Sequence, residues 1–281
     1  NVNFDLTEDQ QMFADLAKQF SDSEFLPNAA KWDQEHIFPK DIIAKAGELG
    51  FCGLYSPEDA GGLGLSRLDS SIIFEQLAMG CTATTAMMTI HNMATWMLAT
   101  WGTDSVKDTW CPGLVSGEQL ASYCLTEPGS GSDAASLSTS AKKDGDHYVV
   151  NGSKVFISGA GDTDVLVVMV RTGEAGPKGI SALAIPADLD GIIYGKAEEK
   201  LGWNAQPTRQ ITFDNVKVPV ENLLGSEGEG FAIAMKGLDG GRINIATCSI
   251  GTAQQALNSA MSYMHEREQF GKPIAAFQGL Q

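Results

Sequence analysis

The hydrophobic period of this chain changes twice, near residues 120 and 230, so the fold must pass from helices to strands and back to helices. Before residue 120 the apolar residues recur at helical spacing. Thr7 and Gln10 form a capping box, followed by Met12, Phe13, Leu16, Ala17 and Phe20. Pro39-Lys40-Asp41 opens another helix with Ile42, Ile43, Ala46 and Leu49 on one face, stopped by Gly50. Pro57 to Gly64 reads as a loop, and Leu68–Met79 and Ala86–Ala99 as Met-rich apolar helices. From 121 to 230 short β-rich runs take over: Ala121–Leu125, Leu137–Ala141, His147–Val150, Val155–Ile157, Val165–Val170, Ser181–Ile185 and Gln210–Phe213. Gly, Asp and Pro turns separate them, which predicts an antiparallel, barrel-like β domain. From Phe231 the helical period returns through Met235, Leu238, Ile245, Leu257, Met261 and Met264. The expectation is an α+β multidomain chain: an all-α domain over 1–120, a β domain over 121–230, and over 231–281 the start of a helical bundle that continues past Gln281.

Charge limits the partners. The net charge of −16 opposes nucleic acid and anionic membrane, so any anionic ligand must be held by local Arg side chains and backbone amides. The five cysteines show no CxxC pair and the four histidines no ligand-spaced cluster, which argues for reduced thiols and against a metal site. Cys81 to Thr103 carries no charge, but Thr, His91 and Asn92 interrupt it, so a buried helix is expected rather than a membrane span. The Met series (Met79, Met87, Met88, Met93, Met97) reads as core filling, with a groove for an acyl chain as the alternative.

The chemistry concentrates between Tyr123 and Gly161. Tyr123-Cys124-Leu125-Thr126-Glu127-Pro128-Gly129-Ser130-Gly131-Ser132-Asp133 leaves an apolar run for a Gly/Ser loop. Glycines 129 and 131 permit positive φ, and free amides beside the hydroxyls of Thr126, Ser130 and Ser132 could cradle an anion. Asn151-Gly152 is expected to form a two-residue hairpin turn that returns Phe156 and Ser158 toward the loop.

This loop, together with Lys154-Val155-Phe156-Ile157-Ser158, closely resembles the flavin-binding domain of the acyl-CoA dehydrogenase family. Pro57–Gly64, Leu201-Gly202-Trp203 and Ile211–Pro219 resemble further segments of that family in the same order. The resemblance implies non-covalent FAD, an acyl-CoA substrate against it, electron transfer flavoprotein as acceptor, and a homotetramer. It places Tyr123, Leu125, Thr126, Gly131, Ser132, Phe156, Ile157 and Ser158 at FAD, with Phe156 stacked on the ring and Ser158 at its N5 edge. It places Ser132, Asp239, Gly240, Gly241 and Arg242 at the acyl-CoA. Arg267, Gln269, Phe277 and Gln278 would contact FAD of a neighbouring subunit. The segment Leu238–Ala246 most resembles members acting on short branched substrates such as isobutyryl-CoA, in valine breakdown.

In most of that family the base is a Glu beyond the position of Gln281, and in some it directly precedes the Arg of the Asp239–Arg242 segment, where this chain has Gly241. No catalytic residue is therefore expected within these 281 residues. A straight short-chain dehydrogenase, an oxidase, or an inactive flavin- or CoA-binding module are the alternatives. Gly237, Gly240, Gly241 and Gly251 in the last helical run leave two explanations open: close helix packing, or room for a ligand. Acidity and the lack of a presequence point to a bacterial cytoplasm, or to the mitochondrial matrix for a processed chain.

Overall fold

The computed structural model describes residues 3–281. Its first part is helical: α1 (Glu8–Phe20), α2 (Ala29–Glu35), α3 (Lys40–Glu48), α4 (Arg67–Gly80), α5 (Thr82–Trp101) and α6 (Asp104–Ser116). The Thr7–Gln10 capping box at α1 forms with both of its hydrogen bonds. Ala14, Ala17 and Phe20 face the core, whereas Met12 and Leu16 stay largely exposed, so the buried stripe is narrower than the sequence suggests. Ile42, Ile43 and Ala46 of α3 are buried as expected, and Leu49 is not. Nearly all of α5 is buried, Met87, Met88, Met93 and Met97 included. No helix among the described residues is long and apolar enough to cross a membrane.

The middle of the chain supplies β1 (Ala121–Cys124), β2 (Ser140–Asp144), β3 (His147–Ser158), β4 (Val165–Arg171), β5 (Ile180–Pro186), β6 (Ile192–Tyr194), β7 (Thr208–Pro219) and β8 (Leu223–Leu224). They form one eight-stranded sheet in the order β6-β7-β3-β2-β4-β5-β8, with β1 on β4. The sheet is mixed and does not close, which corrects the antiparallel barrel. β1 runs parallel to β4 from Ala121↔Val165 to Cys124↔Val168, and β2 meets β4 in parallel at Ser140↔Arg171. β4 shows why both faces are apolar. Val165, Val167 and Met169 pack toward α5 with Met93 and Met97, while Leu166, Val168 and Val170 pack on the opposite face with Ile211 and Phe213. A strand buried on both sides reads as a continuous hydrophobic run, as this one does.

The hairpin expected at Asn151-Gly152 is also corrected. β3 runs straight through these residues, and the pair produces a register shift against β7 between Val150 and Gly152. Gly152 has φ 146° and packs on Thr139, where an added Cβ would lie 2.4 Å from the Thr139 hydroxyl. The turn that reverses the chain is Gly145, with φ 62°, between β2 and β3. β2 itself begins later than the expected strand, with Ala134–Ser136 forming a 3₁₀ turn before it.

After the sheet comes a single helix, α7 (Gly230–Glu266), followed by a small hairpin of β9 (Glu268–Gln269) and β10 (Lys272–Pro273). The glycines do not break α7. An added Cβ at Gly237 would meet Met97 Cε at 2.1 Å, and at Gly251 the Glu75 carbonyl oxygen at 2.4 Å. Close approach to α4 and α5 therefore explains these two.

Candidate functional site: a cleft between the sheet and two helices

α5, α7 and the end of β1 leave an open cleft of about 760 Å³. Its sheet wall is Tyr123, Leu125, Thr126 and Gly131–Ala135, with Phe156, Ile157 and Ser158 of β3. Its helical wall is Thr89, Ile90 and Met93 of α5 and Phe231, Met235, Leu238, Gly241, Arg242 and Ile245 of α7. The volume is that of a cofactor-sized site.

Local structure explains how the sheet wall is held. A second irregularity in β3, between Lys154 and Ile157, turns Phe156 outward. Phe156 takes φ 58° and remains 68% exposed, an uncommon backbone conformation for an aromatic residue and one that clusters at functional sites. Val155 N–H donates to the Thr126 carbonyl at 2.9 Å, which ties the loop to β3. Behind that tie lies a buried ion pair. Lys154 Nζ donates to Glu127 Oε2 at 2.8 Å and to the Leu125 carbonyl at 2.9 Å. The Glu127 carboxylate also accepts from the N–H of Ser138 (2.6 Å) and of Thr139 (3.0 Å). Burial pushes the Glu127 carboxyl up, but Lys154 and these donors outweigh it and hold the group at about 2. Burial pulls the Lys154 ammonium down, against the pull of Glu127.

Hydroxyls edge the cleft. Ser158 Oγ accepts from Gln206 Nε2 at 2.7 Å, which leaves its own O–H to donate. The Tyr123 hydroxyl is buried without a partner, and burial pushes its pKa up. A buried phenol with no acceptor is costly unless a ligand supplies one. Neither Gly129 nor Gly131 uses the positive φ open to it. An added Cβ at Gly131 would meet no atom within 4 Å, so the glycine faces the open space of the cleft. The exposed aromatic, the unpartnered phenol and the bare backbone at Gly131 suit a flat, polar-edged cofactor, and FAD fits that description.

Of the residues singled out by sequence, Tyr123, Leu125, Thr126, Gly131, Ser132, Phe156, Ile157, Ser158, Gly241 and Arg242 line this one cleft. Gly240 does not. It is buried against α4, where an added Cβ would sit 2.1 Å from Arg67 Nη1, so close packing accounts for this glycine. Asp239 is exposed beside the cleft and is not among its lining residues. Arg267, Gln269, Phe277 and Gln278 lie past the far end of α7 and none of them lines the cleft. At ~1.5 Å per residue, Arg267 stands ~37 Å along the helix from Arg242. The sequence reading assigned no site role to Thr89, Ile90, Phe231, Met235, Leu238 and Ile245. Only the helical period marks them, and it cannot separate core from cleft wall.

The sequence matches the acyl-CoA dehydrogenase N-terminal domain over residues 7–118, the middle domain over 122–216 and the C-terminal domain over 228–281. The chain belongs to the acyl-CoA dehydrogenase family, whose members are FAD-dependent oxidoreductases. Among its relatives, mitochondrial isobutyryl-CoA dehydrogenase of Dictyostelium discoideum is 55% identical over 100% of this chain and 68% of its own length. The Bos taurus enzyme of the same name is 53% identical over 98% of this chain and 66% of its own. A short-chain specific acyl-CoA dehydrogenase of Clostridium acetobutylicum is 40% identical over 99% of this chain and 74% of its own. The solved structure of butyryl-CoA dehydrogenase from Megasphaera elsdenii superposes with a TM-score of 0.93 at 36% identity, covering 99% of this chain and 74% of that one. The chain thus spans about two thirds of the length of the two isobutyryl-CoA dehydrogenases.

Proposed function

We propose that this chain, within the complete enzyme, dehydrogenates a short α-branched acyl-CoA between Cα and Cβ, converting isobutyryl-CoA to methacrylyl-CoA in valine breakdown. The observation that carries the reading is 55% identity to an isobutyryl-CoA dehydrogenase, against 40% to a short-chain specific enzyme. The acyl end of the cleft is consistent with it. Gly241 carries no side chain, and even a Cβ there would come within 3.3 Å of Met93 Sδ, so the glycine preserves width for a branch.

FAD supplies the hydride acceptor when bound. Tyr123, Leu125, Thr126, Gly131 and Ser132 would hold it along the sheet wall, together with Phe156, Ile157 and Ser158 of β3. The hydroxyls of Thr126 and Ser158 offer polar atoms at its edge. Thr89, Ile90, Met93, Leu238 and Gly241 would enclose the acyl group and exclude water. Asp239, Arg242 and Ser132 would orient the coenzyme A portion, the guanidinium giving a fixed fork of donors for an anionic group. In a water-poor pocket a carboxylate base gains affinity for the α-proton, because burial disfavours its charged form. That base would lie in the portion of the isobutyryl-CoA dehydrogenases that this chain does not span. Arg267, Gln269, Phe277 and Gln278 would reach FAD of a neighbouring subunit in a homotetramer. Electron transfer flavoprotein would take the electrons. The mitochondrial relatives support the matrix for a eukaryotic source, and a bacterial protein would work in the cytoplasm.

Anaerobic addition of isobutyryl-CoA to the full-length protein should bleach the flavin absorbance. Bleaching by butyryl-CoA and not by isobutyryl-CoA would replace the branched reading with the straight-chain one. Stoichiometric peroxide with oxygen as acceptor would make the protein an oxidase instead.

A further inference from the structure

A lysine and a glutamate occupy the interior of the sheet wall, with side chains 0% and 5% exposed. Burying such a pair costs desolvation that a pair of apolar residues would avoid, so stability alone is a weak reason for it. The partners of the pair suggest another. Lys154 does not bind Glu127 only. It also donates to the carbonyl of Leu125, a residue of the cleft wall. Glu127 in turn fixes the backbone of Ser138 and Thr139, where the loop rejoins the sheet. The loop from 125 to 139 is therefore gripped at both ends by one pair of charges. The peptide between Leu125 and Thr126 is gripped most directly, with an ammonium on its carbonyl oxygen. Among the described residues the Thr126 N–H finds no acceptor. Hydrogen bonding to the carbonyl of an amide strengthens its N–H as a donor, more so when the partner is charged and the surroundings exclude water.

The geometry points to Lys154 as a positioning residue for the flavin: with Glu127 it clamps the Leu125–Thr126 peptide at the cleft wall and makes its N–H a stronger donor to the cofactor. This rests on the reading that the cleft holds FAD. Lys154 touches neither cofactor nor substrate, and its effect passes through the backbone of Leu125 and Thr126.

The test strips FAD from the full-length protein and titrates it back, following flavin fluorescence and the visible spectrum. The variants are Lys154→Arg, Lys154→Met and the double variant Glu127→Gln/Lys154→Met. The double variant leaves no unpaired buried charge, and it is expected to fold with a melting temperature near that of wild type. Its dissociation constant for FAD should rise about threefold or more, because the peptide loses both its clamp and the polarisation of its N–H, and the flavin absorption bands should shift. Lys154→Met alone leaves Glu127 uncompensated and should lose both affinity and stability. Lys154→Arg keeps the charge and should recover part of the affinity. A double variant that folds and binds FAD with wild-type affinity and spectrum overturns the proposal. A double variant that does not fold makes the pair a stability element and overturns it equally. Wild-type protein that takes up no FAD would instead refute the flavin reading beneath it.

Discussion

Acid should loosen the cleft through His91, which is fully buried where α5, the end of α6 and the start of β1 meet. Its Nε2 donates to the Leu114 carbonyl at 2.9 Å, and its Nδ1 accepts from the Ala121 N–H at 3.1 Å. Both ring nitrogens are satisfied only in the neutral form, because a protonated ring has no acceptor for Ala121. Burial pulls the imidazole down from 6.5 to about 4, against the smaller upward pull of the Leu114 and Cys52 backbones and of Asp164. The folded state thus binds its proton more weakly than the unfolded chain. The stabilisation is complete above pH 6.5 and is lost as the pH falls toward 4. At ~1.4 kcal/mol per pH unit the full loss is about 3.5 kcal/mol. A His91→Gln variant keeps one donor and one acceptor without the titration. Urea denaturation of both proteins at about pH 7.5 and about pH 4.5 isolates the term, because other groups titrate alike in each. The stability advantage of wild type should shrink by about 2–3 kcal/mol between the two conditions. An advantage independent of pH would refute the argument. The site is sensitive to this because α5 carries Thr89, Ile90 and Met93 while β1 leads into Tyr123 and Leu125, so His91 joins both walls.

Further consequences concern the cleft. Gly241→Glu should raise KM for isobutyryl-CoA, because the side chain must occupy the space beside Met93 Sδ; unchanged affinity for branched substrate would show that this glycine does not shape the acyl pocket. Phe156→Ala should weaken FAD binding several-fold, the loss of one aromatic contact, measured by titration of the FAD-free protein. An unaltered dissociation constant would remove Phe156 from the cofactor site.

Local signals in the sequence carried as far as local interactions decide the structure. The Thr7 capping box depends on neighbours within a few positions and the apolar runs of β4 and β5 are legible by themselves, whereas the cleft residues of the Tyr123–Ser132 loop were marked by the family resemblance and are held by Lys154 and Val155 of β3. Asn151-Gly152 misleads because its turn preference is real but weaker than the pairing of a twelve-residue β3 with β7, which absorbs the glycine as a bulge. The continuous apolar run of β4 marks a strand but not the direction of its partners, so the parallel pairing of β1 with β4 was not legible. The same limit applies to Lys154. A lysine in a strand of mixed pattern reads as surface, and only the fold brings Glu127, Ser138 and Thr139 around it.

Gly240 offers a sharper discrimination between packing and function, since two physical terms of opposite sign meet there. The helix gains about 1 kcal/mol when an interior glycine becomes alanine. Against that gain stands Arg67, whose guanidinium lies 3.9 Å from the Tyr55 ring centroid and 5.2 Å from that of Trp96. An alanine Cβ would sit 2.1 Å from Nη1, so the guanidinium must shift from its place in this stack. The shift forfeits cation–π energy of about 1–2 kcal/mol and re-exposes tightly packed surface. In the wild-type background Gly240→Ala should therefore destabilise the protein. In an Arg67→Ala background the obstacle is gone and the same substitution should stabilise it by about 1 kcal/mol, the helix term alone. Denaturation of the four proteins of this cycle reads the sign directly. A substitution that destabilises to the same extent in both backgrounds would mean that something other than Arg67 needs the space at Gly240, and the ligand reading of that glycine would return.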